Sequence, residues 1–207
     1  NIIADFEAGK TDVLIGTQMV SKGLDFERVS VVGILNADSL LNYPDFRSYE
    51  RAFQLMAQVA GRAGRKSRQG LVILQTKSPE LPLIHQVVTN DYRQMYEEQL
   101  EERRQFRYPP FERLIYVYLK HRKEEVVEQA AAVLATWLRS GLGDRVLGPD
   151  KPPVGRIQRL FIKKIMVKVA QGTSMPKVRT YLLQLQRALV EDERFRSTVV
   201  YYDVDPM

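Results

Sequence analysis

The residues with the most chemical potential in this chain form one short stretch, QVAGRAGR, Gln58 to Arg65, which closes a run from about Tyr49 that reads as a helix. On a helix Gln58, Arg62 and Arg65 fall at i, i+4 and i+7, so an amide and two guanidiniums share one face. Gly61 and Gly64 each cost such a helix about 1 kcal/mol relative to Ala, a loss that makes sense where a backbone or a ligand comes close. Planar, permanently charged guanidiniums match phosphate oxygens, and an arginine finger on a γ-phosphoryl group in flight is worth about 10³ to 10⁵ in rate. The competing account is a solvated basic helix end that complements the helix dipole.

The elements that would position these groups are short and apolar. Asp12 to Gly16 (DVLIG) reads as a buried strand feeding the turn GTQMVSKGLDF, Gly16 to Phe26. In open α/β sheets ligands bind beyond the carboxyl ends of strands, which makes Thr17, Gln18, Ser21, Lys22, Gly23 and Asp25 candidates. Val29 to Leu35 (VSVVGIL) and Leu71 to Gln75 (LVILQ) have the continuous apolar character of parallel strands covered on both faces, and the first ends in Asn36, Ala37 and Asp38. Strands alternating with a helix predict a parallel α/β sheet, with an anion site at strand ends completed by guanidiniums from the neighbouring helix. Three strands are few for a whole lobe, so the chain is expected to begin inside a domain.

One stretch imitates a phosphate loop. Ala4 to Thr11, ADFEAGKT, fits a relaxed form of that pattern, but a working loop follows a strand and opens a helix. Here Ile2 to Ala8 reads as the tail of an amphipathic helix with Gly9 as its C-cap, and Asp5 and Glu7 would put negative charge in the cradle.

The 207 residues are 44% hydrophobic, suited to one or two packed domains, and contain no cysteine for a disulfide or thiolate zinc site. No apolar run approaches the roughly 20 residues that span a bilayer, and no secretory signal is evident. The net charge of +6 points to an acidic partner, most often nucleic acid. From Lys151 to Val190 there is no Asp or Glu, while Arg156, Arg159, Lys163, Lys164 and Lys168 lie inside. A field of one sign this long predicts a binding surface, against the alternative that it balances the acidic helix near Glu97 to Glu102.

Pro79 and Pro82 interrupt the chain, a helix is expected from about Leu83 to Gln105, and Tyr108 to Phe111 (YPPF) stops it. This segment reads as a connection. Beyond it come a strand at about 114–120, a helix at 123–139 and a strand near Val146 or Val154. A strand at 160–169, a helix at 176–190 and a strand at 199–204 follow, giving a βαββαβ split α/β sandwich. The division expected is 1–78 for the parallel lobe, 79–110 for the connection and 111–207 for the terminal domain. Trp137 is assigned to the core, and Phe161, Tyr181, Tyr201 and Tyr202 are the aromatics available for stacking on bases.

GTQMVSKGLDF followed by QVAGRAGR resembles motifs V and VI of superfamily 2 nucleic-acid motors. The words VVGILNAD, FRSYERAFQLMAQVAGRAGR, YPPF, the pair Gly148-Pro149 and the terminal DVDP, Asp203 to Pro206, are similar in their order to the PriA family of replication-restart helicases. The resemblance covers nearly the whole chain and is most specific before Phe111. It implies a partial RecA-like second helicase lobe followed by a ribosomal-protein-like α/β domain that helps bind DNA and other restart proteins. The activity it implies is ATP-dependent 3′-to-5′ unwinding that restarts stalled forks and assembles the primosome in the bacterial cytoplasm, on forked and single-stranded DNA, with single-stranded-DNA-binding protein and primosome proteins as partners. It assigns Thr17, Gln18 and Lys22 to the nucleic-acid backbone, Gly23, Asp25 and Gln58 to the nucleotide, and Arg62 and Arg65 to the phosphates as one or both of the finger residues. The terminal cations Arg156, Arg159, Lys163, Lys164 and Lys168 would follow DNA, although Leu160 and Ile162 stand where the family suggests more arginines.

In that family the phosphate loop, the metal-binding Asp-Glu pair and a cysteine-rich zinc insert lie upstream of the matching region. ATP and Mg²⁺, and zinc, are therefore expected in a longer parent, and the chain alone is expected to hydrolyse no ATP and to hold no metal. Three other accounts stand beside this one: a non-catalytic DNA- or protein-binding module, another superfamily 2 DNA translocase, and an RNA-associated α/β protein.

Overall fold

The computed structural model describes residues 2–17, 29–61 and 70–206, in two compact units, Asn1–Glu101 and Glu102–Met207. In the first, α1 (Ile2–Glu7) ends as expected at Gly9, whose φ of +70° takes the left-handed position that stops a helix. The expected strand over Asp12 to Gly16 does not form: no described strand pairs with it, and Val13 and Ile15 are 72% and 86% exposed. An extended apolar segment becomes a strand only when a neighbour takes its N–H and C=O groups.

Strands β1 (Val31–Ile34) and β2 (Leu71–Leu74) pair in parallel, Val31 opposite Leu71 and Ile34 opposite Leu74. Among the described residues only one face is covered. Ile34 and Leu74 pack on the core, whereas Val31, Leu71 and Ile73 are more than half exposed, so the expectation of burial on both faces is corrected. The covered face meets α3 (Ser48–Ala60) through Ala52, Phe53 and Met56, with α2 (Asp38–Leu41) beside it. Helix α3 begins within one residue of the expected start at Tyr49 because its apolar positions repeat with the helical period.

The long helix expected over 83–105 is two helices, α4 (Pro82–Thr89) and α5 (Tyr92–Gln105). Asn90 adopts φ +53° after α4, and the Asp91 carboxylate accepts the Gln94 N–H at 2.9 Å to start α5. The segment read as a connection carries core residues of the first unit, Leu83, Ile84, Val87 and Met95, which pack with Phe53 and Met56.

The second unit runs β3 (Glu112–His121), α6 (Glu124–Leu142), β4 (Val146–Asp150), β5 (Arg156–Ile157), β6 (Leu160–Ala170), α7 (Met175–Glu191) and β7 (Val199–Val204). The sheet is antiparallel in the order β4-β6-β3-β7, with β5 paired to the start of β6. This is the βαββαβ arrangement expected from the sequence. Alternate residues of β3 and β6, among them Val117, Leu119, Ile165 and Val167, meet the apolar stripe Val127, Ala131, Leu134 and Leu138 of α6. Trp137 packs at the border of that core, as assigned.

Candidate nucleic-acid interface

The carboxyl ends of β1 and β2 are tied together by a polar corner. The Gln75 N–H donates to Ile34 O at 2.9 Å and the Ala37 N–H to Gln75 O at 3.0 Å, which carries the parallel pairing past the last strand residues. Asp38 then accepts the Thr76 hydroxyl at 2.9 Å and the Lys77 N–H at 3.0 Å. The Lys77 N–H, and after it the Thr76 hydroxyl, hold the Asp38 carboxyl below its ordinary value. An open cavity of about 320 Å³ lies beside this corner, lined by Asn36, Asp38, Ser39, Asn42, Lys77 and Ser78. Asn36 sits at φ +55°, a backbone position that Asn tolerates better than most residues. The sequence marked Asn36 to Asp38 as polar residues ending a strand, but not Thr76 and Lys77 as their partners; the only signal was the change from LVIL to polar residues after β2.

The described part of the QVAGRAGR stretch, Gln58 to Gly61, closes α3, with Gly61 after its last residue. A helix that joins two parallel strands must carry the chain back from the carboxyl end of one to the amino end of the next. Helix α3 follows β1 and precedes β2, so its last turn, with Gln58 exposed on it, lies toward the amino ends. The Asp38 corner and the last described turn of α3 therefore lie toward opposite ends of the β1–β2 pair. Thr17 is described and exposed; Gln18, Lys22, Gly23, Asp25, Arg62 and Arg65 lie outside the described residues. Among the described residues no group of three or more His, Cys, Asp or Glu side chains could hold a metal ion. An amide followed by two guanidiniums fits a triphosphate by donor chemistry.

In the second unit the five cations of the basic segment that were assigned to DNA separate. Lys163 and Lys164, adjacent in sequence, point to opposite faces of β6. Lys163 reaches Glu128 of α6 at 2.8 Å, so its charge balances a helix, but not the helix near Glu97 to Glu102. Lys164 sits 4.4 Å over the Tyr116 ring on the other face, where Tyr118 stacks on Tyr201 at 4.9 Å and Lys120 covers Tyr201. Lys168 is only 6% exposed, lies 4.0 Å over the Tyr108 ring and donates to Phe106 O. Burial, then the nearby Arg107, depresses its pKa, and a lysine so enclosed holds the segment before β3 in place instead of meeting a ligand.

Arg156 and Arg159 remain outward. Arg159 is the second residue of the two-residue turn between β5 and β6, and Arg156, in β5, lies 4.8 Å over the Phe161 ring. Gln158 and Arg159 have φ of +48° and +67°, positions that usually take Asn or Gly and cost other residues of order 1 kcal/mol each. Of the aromatics considered for stacking, Phe161, Tyr181 and Tyr202 pack against the core, and burial pushes the Tyr202 hydroxyl up to about 12. Tyr201 alone of the four stands on the open face of the sheet.

A family model described as the primosomal protein N C-terminal domain matches residues 104–207, half of the chain. The chain belongs to this family, PriA. A second model, the helicase conserved C-terminal domain, matches residues 1–67. The replication restart protein PriA of Bacillus subtilis (strain 168) is 37% identical over 209 aligned residues, 99% of this chain and 25% of that protein. The PriA of Treponema pallidum (strain Nichols) is 39% identical over 206 residues, 98% of this chain and 30% of that protein. The PriA of Chlamydia pneumoniae reaches 46% over 114 residues, 55% of this chain. The chain thus spans a quarter to three tenths of the PriA relatives that it matches along its length. Within this PriA segment no described helix is long and apolar enough to cross a membrane.

Proposed function

We propose that the protein containing this chain is an ATP-dependent DNA helicase that moves 3′ to 5′ along one strand, restarts stalled replication forks and takes part in assembling the primosome in the bacterial cytoplasm. The observation that carries this is the order of the two matches in one chain: a helicase C-terminal region through residue 67, then the PriA-type terminal domain from residue 104. Gln58, Arg62 and Arg65, with Gly23 and Asp25, serve the nucleotide. Thr17, Gln18 and Lys22 serve the DNA backbone. Bound ATP supplies the free energy of phosphoryl transfer, and these residues couple it to DNA because both sets are carried on one lobe. The phosphate loop and the Mg²⁺-binding carboxylates come from elsewhere in the protein, so the isolated chain turns over no ATP.

In the terminal domain Arg156, Arg159 and Lys164 are the proposed DNA contacts. Lys163 is shared with Glu128, and Lys168 is left out because it is enclosed. Forked and single-stranded DNA are the substrates, with single-stranded-DNA-binding protein and primosome proteins as partners. The test is Arg62→Ala or Arg65→Ala in the full-length protein. ATP turnover should fall by about 10³ or more with DNA affinity kept, as for loss of a finger. Turnover at the parent rate in both variants would remove the finger assignment.

A further inference from the structure

We propose that the β5–β6 hairpin is a finger that seats in a groove of duplex DNA, with Arg156 and Arg159 on its phosphates; the proposal rests on the DNA-binding reading above and names the site and the form of DNA. Three observations point there. The tip is strained in a way that its sequence does not relieve: both central positions of the turn have positive φ, and they hold Gln158 and Arg159 where Asn and Gly would fit without cost. The tip is also unpartnered. Gln158 and Arg159 are exposed, and Arg159 has no hydrogen bond or ion pair to a described residue. Finally, the 40 residues from Lys151 to Val190 contain no carboxylate, so a phosphate approaching the tip meets no acid from its own segment.

The remaining apolar exposure suits a groove. Ile157, on the face of the ribbon opposite Arg156, is 45% exposed. Beyond Phe161, which still pairs with His121 of β3, the Ile157–Leu160 pair and the turn form a two-stranded tip, a shape that fits the major groove of B-DNA, with phosphates along both walls for guanidiniums at the tip and at its base. A single strand offers no such walls. The sheet face carrying Tyr118, Lys164 and Tyr201 does not suit insertion into a groove, because its rings are stacked on one another and its ammoniums rest on rings.

The experiment measures binding of the whole chain to a duplex of about 20 base pairs and to an oligothymidylate of about 20 nucleotides across a salt series, beside melting temperature. Each phosphate contact contributes about 0.9 to the duplex salt slope. Arg159→Gln should weaken duplex binding several-fold and flatten the slope by about 0.9, whereas Arg159→Lys should keep the slope. Gln158→Asn combined with Arg159→Gly should melt a few degrees higher, since the turn is relaxed, and still lose the same slope. An unchanged duplex slope in Arg159→Gln overturns the finger, and an equal loss on oligothymidylate overturns its assignment to duplex. A parent chain that binds neither DNA overturns the DNA-binding reading itself.

Discussion

Single side chains in this molecule are defined by what they are tied to. Asp38 has the charge expected of a ligand-facing carboxylate, yet both its oxygens are engaged, by Thr76 and by the Lys77 N–H. Its pKa is lowered from 3.8, so its contribution to stability is present above that value and is lost as pH falls through the lower folded value. Asp38→Ala should therefore remove an acid-sensitive part of stability and speed hydrogen exchange of the Lys77 amide; an amide equally protected in the variant would mean that another group holds the corner. Lys168 carries the opposite sign. Its folded pKa lies below 10.5, so the cost of burying its charge is full at neutral pH and is relieved as pH rises from the folded value toward 10.5. Lys168→Met should flatten that alkaline rise in a denaturation series while leaving DNA affinity unchanged. A DNA affinity that falls in this variant would return Lys168 to the list of contacts.

At the scale of elements, packing decided what local sequence left open. A single Asn90-Asp91 step turns one expected helix into two, because Asn accepts the left-handed stop and Asp accepts the next helix's free N–H. Such punctuation is short and competes with an otherwise unbroken run of helix formers. The contact between α6 and α7 depends on the absence of a side chain at Gly141, where a Cβ would overlap the Tyr181 hydroxyl. That hydroxyl donates to Trp137 O at 3.2 Å and is not free to swing aside without loss. Gly141→Ala should destabilise by about 1–3 kcal/mol, the usual range for overpacking. With Tyr181→Phe in the background the penalty should shrink, and a urea double-mutant cycle with no coupling would show that the overlap is not the cause.

For the whole molecule, the two units have separate cores, Phe53, Met56, Leu83 and Ile84 in one and Val117, Leu134, Ile165 and Leu189 in the other. Residues 102–207 expressed alone should fold cooperatively, and their melting should match the corresponding transition in the whole chain. A non-cooperative, exchange-unprotected product would show that this core does not stand by itself. The terminal domain was legible in outline because its strands are runs of β-branched and aromatic residues bounded by turn signals and its helices carry unbroken apolar stripes. The parallel pair was legible as well, but which of its faces is covered was not, since an apolar run is consistent with one cover or two.

From sequence alone came the element types, the split sandwich, the motif pair that resembles a helicase and the family, because periodicity and motif order are properties of the chain itself. Tertiary structure alone decided that Asp38 meets Thr76 and Lys77, 38 and 39 residues later. It also placed the α3 terminus and the Asp38 corner at opposite ends of the sheet, and divided a run of cations into an enclosed lysine, a helix-paired lysine, a lysine resting on a tyrosine ring and two outward arginines. Spacing along a strand or helix is set locally, whereas the partner of each charge depends on which distant segments the fold brings beside it.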